Sequence, residues 1–104
     1  MPKYVIAYHG GRKVETPQEG AAYMAKWKNW MGSLGDAIVD PGMPLGAGKI
    51  VNATGVSDRG ADMLTGFTIV TADGMDAVLR FARECPHLDH GTIEVAEAME
   101  MRMR

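Results

Sequence analysis

Histidine and aspartate side chains at the ends of predicted strands are the first candidates for chemistry in this sequence. His9 closes an apolar stretch just before Gly10 and Gly11, and an imidazole can take up or release a proton near neutral pH as a general base. Asp40, or Asp36, flanks the second predicted strand and could orient that imidazole as a carboxylate partner. The alternative is that His9 is a surface or dimer-contact residue without a catalytic role.

An aromatic stripe is the second candidate site. Tyr23, Trp27 and Trp30 recur at the spacing of one helical face, and a pocket for a planar or apolar ligand is mostly lined by such side chains. Met43 opens a loop over residues 43–48, too rich in glycine and proline for regular structure, which is a second edge at which a ligand could bind. We expect Tyr23 and Trp30 to face the cleft; the alternative is that the stripe is simply core.

The segment from Cys85 to His90 raises the question of a metal. It contains a thiol, two imidazoles and a carboxylate, all of which can bind zinc or iron. Their spacing matches no strong metal-binding signature, so we predict no metal site and no cofactor. In the alternative interpretation the segment is a helix end, with Cys85 filling an apolar interface and His87 and His90 solvated.

Composition limits the classes of partner. The 104 residues suit one domain, 1–104, with 46% hydrophobic residues and a formal net charge of −2. The 11 lysines and arginines form no basic stripe, so no nucleic-acid partner is expected. No apolar run approaches the roughly 20 residues of a membrane span, so no membrane partner is expected either. A single cysteine and an N-terminus without a signal-type segment favour the cytoplasm.

Helix signals place the aromatic stripe. Thr16 can cap a helix that has Pro17 at its first position, and Gly35 ends it. A second helix can be capped by Asp73 and is ended by Pro86.

The segments before, between and after the two predicted helices have the residue types of β-strands. Residues 4–9 and 37–39 are predicted strands, residues 49–56 and 66–71 a predicted hairpin, and residues 91–99 the last strand. We interpret these segments as a β-α-β-β-α-β order with one additional strand, which predicts an α+β, ferredoxin-like fold, in which two helices cover one face of an antiparallel sheet.

The uncovered face of that sheet predicts a partner. In residues 4–9 and 67–70 both alternating sets of side chains are largely apolar, whereas a sheet with one wet face alternates cleanly. A homodimer through the open face would bury this surface. The alternative is a monomer whose loops cover it.

Several segments together resemble the YCII-related family, which includes the DGPF-type proteins. They are residues 3–6, the aromatic first helix ending in Gly35, residues 66–69, residues 83–87 and residues 91–95. The resemblance implies a dimeric α/β barrel with a cleft near the first helix and the 43–48 loop. Tyr23 stands where the family places a histidine, and the Asp-Gly-Pro-Phe signature is absent.

The resulting functional hypothesis is a small cytoplasmic dimer with a small-molecule pocket, supporting acid/base chemistry on a small organic substrate. The competing hypothesis is a non-catalytic ligand-binding, regulatory or accessory module. The sequence does not decide between an enzyme and such a module.

Overall fold

The structure is a computed structural model that describes residues 1–11 and 15–101. Six strands and two α-helices make up the described chain. In order they are β1 (Lys3–Gly10), α1 (Pro17–Leu34), β2 (Ile38–Asp40), β3 (Lys49–Asn52), β4 (Gly55–Asp58), β5 (Leu64–Thr71), α2 (Met75–Arg83) and β6 (Gly91–Ala98). Short 3₁₀ turns, Gly35–Ala37 and Pro86–Asp89, follow the two helices.

Four of the strands form one antiparallel sheet in the order β2-β5-β1-β6. Strands β1 and β5 are central, and both helices pack on the same side. This confirms the predicted ferredoxin-like α+β fold, because each β-α-β unit leaves a gap that a strand of the other unit fills.

The side chains of β1 alternate between the two faces. Tyr4, Ile6 and Tyr8 point toward the helices and are at most 6% exposed, whereas the residues between them are only partly buried. Trp30 of α1 and Val78 of α2 belong to the same core. The two-residue period therefore gives the sheet an inner face covered by the helices and an outer face that neither helix of the described chain covers.

The start of α1 follows its sequence signals. The Thr16 hydroxyl accepts a hydrogen bond from the backbone N–H of Glu19 at 3.0 Å, and Pro17 occupies the first turn. For α2 the expected cap is wrong. Gly74, not Asp73, is the N-cap residue, and no side chain caps this helix.

The predicted pairing of residues 49–56 with residues 66–71 is also wrong. Residues 49–56 do not form one strand, because the chain reverses between β3 and β4, where the Asn52 carboxamide oxygen accepts the backbone N–H of Thr54 at 2.9 Å. Such a turn ends a strand. Strands β3 and β4 pair only with each other, and β5 pairs with β1 and β2 instead.

The β3–β4 hairpin projects from the rest of the molecule. Every residue of its two strands is exposed, including Val51 at 73% and Val56 at 66%. Arg59 holds its base by donating hydrogen bonds to the carbonyl oxygens of Gly46, at 2.7 Å, and Leu64, at 2.9 Å. In the described ranges, no helix combines the length and apolar character needed to cross a membrane.

Candidate functional site

A cavity of about 480 Å³ lies between α1, the inner face of the sheet and the segment that follows β2. Helix α1 forms one wall, β1 and β5 form another, and residues 41–44 form the third. The lining residues are Tyr8, Tyr23, Met24, Trp27, Lys28, Met31, Pro41, Gly42, Met43, Pro44, Thr65, Gly66, Phe67, Thr68 and His87. This volume suits a small organic molecule.

The third wall is held against β5 by backbone contacts. The N–H of Leu45 donates to the carbonyl oxygen of Thr65 at 3.0 Å, and Pro44 bridges to Gly66. Gly42 has a positive φ of 77°, and a Cβ there would overlap the carbonyl oxygen of Phe67. Glycine is thus required for the segment to approach the strand this closely.

Three of the four predicted ligand-binding residues lie in the lining. Tyr23 and Trp27 project from α1, and Met43 lies on the opposite wall. Trp30, which we expected to face the cleft, does not line it. Its indole N–H donates to the carbonyl oxygen of Phe81 at 2.9 Å, and the side chain is only 5% exposed. Trp30 therefore joins α1 to α2 within the core.

Edge-to-face ring contacts fix the aromatic wall. The ring centroid of Trp27 is 5.2 Å from that of Tyr8, 6.1 Å from Tyr23 and 5.5 Å from Trp30. The His90 ring packs against the other side of Tyr23 at 4.6 Å. Such contacts add roughly 0.5–1.5 kcal/mol per pair beyond buried area, so the wall is positioned before any ligand arrives.

Two consecutive hydrogen bonds orient the hydroxyl groups of Tyr8 and Thr68 on the sheet wall. Thr68 Oγ1 lies 3.1 Å from the carbonyl oxygen of Pro41, which can only accept a hydrogen bond, so the Thr68 hydroxyl donates to it. The Tyr8 hydroxyl, 2.7 Å from Thr68 Oγ1, must then donate to Thr68. Burial raises the pKa of Tyr8 well above its ordinary value, so the phenol stays protonated and presents its oxygen lone pairs to the cavity.

His87 is a lining residue that sequence analysis did not single out as a ligand-binding group. It is buried, at 6% exposure, which contradicts the solvated histidine of the helix-end interpretation. Its Nε2 lies 2.9 Å from the carbonyl oxygen of His9 and donates to it, since that oxygen can only accept. The contact joins residues 78 positions apart, so no local pattern could have revealed it.

Gly91 makes room for the His87 ring. A Cβ at Gly91 would lie 2.7 Å from His87 Nε2 and closer still to the His9 carbonyl oxygen. The His87 ring also packs against Tyr8, with centroids 5.4 Å apart. Its position therefore depends on the backbone at both strand ends.

His9 and Asp40, the predicted catalytic pair, lie apart in this structure. His9 Nε2 is 3.1 Å from a carboxylate oxygen of Glu94, and its Nδ1 is 3.1 Å from the carbonyl oxygen of Asp62. Asp40 accepts the backbone N–H of Gly42 at 2.8 Å.

The sheet register explains their separation. His9 pairs with Leu64 and Asp40 with Ile69, five residues further along β5, which is about 16 Å along the strand. Neither residue lines the cavity.

The Cys85–His90 segment shows no metal-binding arrangement. Within residues 1–11 and 15–101, no three histidine, cysteine, aspartate or glutamate side chains lie close enough together to hold an ion. Cys85 is 3% exposed, and burial raises the pKa of its thiol to about 12. A thiol in that environment stays protonated at neutral pH and is a poor ligand or nucleophile.

Comparison with known proteins gives one family and a structural neighbour. No curated protein matches the sequence. Among solved structures, the chain is similar to 5-chloro-2-hydroxyhydroquinone dehydrochlorinase from Burkholderia phenoliruptrix, in complex with 2,5-dihydroxybenzoquinone. The TM-score is 0.60 with 20% sequence identity, covering 95% of each chain, so the similarity is one of fold. The family model of the YCII-related domain matches residues 1–102, and the chain therefore belongs to the YCII-related family.

Proposed function

We propose that this protein binds a flat, largely apolar organic molecule in the cavity beside α1. The observation that carries the proposal is the lining itself: aromatic and methionine side chains around about 480 Å³, with few oriented polar groups. Methionines at 24, 31 and 43 can adjust to ligands of differing shape. The structural neighbour, described in complex with 2,5-dihydroxybenzoquinone, supports a ring compound as ligand.

Binding can be measured by isothermal titration calorimetry with 2,5-dihydroxybenzoquinone and 2-naphthol. We expect at least one of them to bind, and Trp27→Leu to weaken it about three- to tenfold, the value of one aromatic contact. Phe81→Leu, which also replaces an aromatic ring by leucine but on α2 and outside the lining, is the matched control and should leave the affinity unchanged. Absence of binding by both compounds, or equal losses in the two variants, would contradict the proposal.

Acid/base catalysis on the bound molecule is a second candidate function. It is favoured by His87, an imidazole in the lining beside the Tyr8 phenol. The backbone carbonyl oxygen of His9 positions the His87 ring by accepting its Nε2–H. The His9 imidazole itself lies on the outer face of the sheet and would act only on a molecule bound there. If catalysis by His9 with Asp40 occurs, the two must be brought together by a rearrangement or by a second subunit.

Turnover of any compound that binds would separate an enzyme from a binding module. His87→Gln should abolish turnover if His87 is the base, whereas His9→Ala retains the backbone carbonyl oxygen and should have a smaller effect. A larger loss of turnover in His9→Ala than in His87→Gln would support His9 as the base. A ligand that binds and is never converted supports the non-catalytic alternative.

We further propose that the protein is a cytoplasmic homodimer formed through the outer face of the sheet. Val5 lies between Ile69 and Ala96 across the strands, and Ala7 lies beside Phe67. These neighbours form an apolar surface that a second copy would remove from water. The buried, unpaired Cys85 supports a reducing compartment.

A further inference from the structure

Charge is unevenly distributed around the proposed ligand cavity. Of the lining residues that the structure describes, Lys28 is the only one with a permanent charge, and none is a carboxylate. Lys28 lies on α1 directly after Trp27, and its side chain is exposed. Lysine stems commonly cover apolar surface while the ammonium group stays in water, which places a positive charge at the mouth of an apolar cavity.

Lys28 also differs from its neighbour on the same helix in having no ionic partner. The ammonium group of Lys26 lies 3.3 Å from a carboxylate oxygen of Asp89, outside the cavity. Lys28 forms no ion pair with any residue in the described ranges. Its charge is therefore available to a ligand without first breaking an existing contact.

The hydroxyl groups of the sheet wall offer no hydrogen-bond donor to an anion. Thr65 shares its one hydroxyl hydrogen between the carbonyl oxygens of Tyr8 and Gly10, Thr68 donates to Pro41, and Tyr8 donates to Thr68. These three hydroxyls present only oxygen lone pairs to a ligand, and lone pairs repel an anion. An anionic group is thus disfavoured at the sheet wall and favoured at the mouth.

We infer that the cavity selects flat aromatic molecules with a carboxylate or similar anionic group at one end, and that Lys28 recognises that group. The inference rests on the proposed function of the cavity. The ring lies against the aromatic wall, and the anionic end lies at the mouth beside the ammonium group. An exposed ion pair of this kind contributes less than a buried one, so the selectivity is moderate.

The test uses two ligands of similar shape and different charge, 2-naphthoate and 2-naphthamide, titrated calorimetrically into the full-length protein. We expect the wild type to bind 2-naphthoate about two- to fivefold more tightly than 2-naphthamide at low salt, since one exposed charge pair is worth up to about 1 kcal/mol. Added salt should reduce this preference. Lys28→Met should remove it, and the matched control Lys26→Met should retain it.

The outcomes distinguish this inference from the proposed function. If both compounds bind the wild type equally, or if Lys28→Met keeps the preference for 2-naphthoate, the role of Lys28 is wrong and the cavity remains a binding site. If neither compound binds while 2-naphthol or 2,5-dihydroxybenzoquinone does, the inference is wrong and the cavity remains a binding site. If those two compounds also fail to bind, the proposed function is wrong and the inference is overturned with it.

Discussion

The two faces of the four-stranded sheet are built from the same strands but differ in what covers them. On the inner face, Ile6 and Val70 are completely buried beneath the helices. On the outer face, their neighbours Val5 and Ile69 are apolar but only partly buried. Burial of the apolar side chains on the inner face stabilises the single chain. The apolar side chains on the outer face stabilise the protein fully only when another surface packs against them and removes them from water.

The largest effect is expected from truncation of the inner face. Ile6→Ala should lower the free energy of unfolding by about 3 kcal/mol, because it leaves a cavity in a fully buried site. Urea denaturation measures the loss. Val39→Ala, at a side chain 46% exposed in the edge strand β2, is the control and should cost less than about 1 kcal/mol. Equal losses would show that the two faces do not differ as described.

A charge on the outer face tests the proposed dimer. Ile69→Asp should raise the dissociation constant about a hundredfold, near 2.8 kcal/mol, because an unpaired carboxylate would be buried in the interface. Light scattering should then give the mass of one 11.2 kDa chain, where the wild type gives twice that. Ile50→Asp, on the exposed β3–β4 hairpin, should remain dimeric. A wild type with the mass of one chain would contradict the dimer.

The smallest effect concerns the polar link between the two helices on the inner face. Trp30→Phe keeps an aromatic ring but removes the N–H that donates to the carbonyl oxygen of Phe81. The free energy of unfolding should fall by about 1–2 kcal/mol, because one hydrogen bond and the packing of the larger indole ring are lost; the Phe81 carbonyl oxygen still accepts the backbone N–H of Glu84. Thermal denaturation can follow the change, and an unaltered midpoint would show that water replaces the indole.

The two helices and the four strands of the main sheet could be predicted from sequence because local signals agree with the fold. The Thr16 cap, the helical spacing of the aromatic residues and the apolar strands all act over a few residues. The hairpin was not predicted because Ile50, Val51 and Val56 have strand-forming side chains that favour one continuous strand. The turn signal of Asn52, whose side chain accepts the backbone N–H of Thr54, outweighs them.

The site could be predicted only in part. Residues 23 and 27 are about one helical turn apart and share a wall. Residue 30 lies within about 20° of residue 23 around the helix axis but roughly 10 Å further along it, where Trp30 meets Phe81 of α2 instead of the cavity. The separation of His9 from Asp40 follows from the register along β5. His87 lies in the lining because its side chain donates a hydrogen bond to the carbonyl oxygen of His9, which is far from it in sequence. Register and long-range packing are not encoded in local spacing.

The β3–β4 hairpin has a practical consequence. Its tip at Ala53 and Thr54 is separated from the core by two strands whose residues are all exposed, and Arg59 holds its base by two hydrogen bonds. A fluorophore, an affinity tag or an inserted peptide at this tip would report on the protein while leaving the ligand cavity and the buried face intact. The tip of the hairpin is therefore a suitable position for attaching a label or tag to this chain.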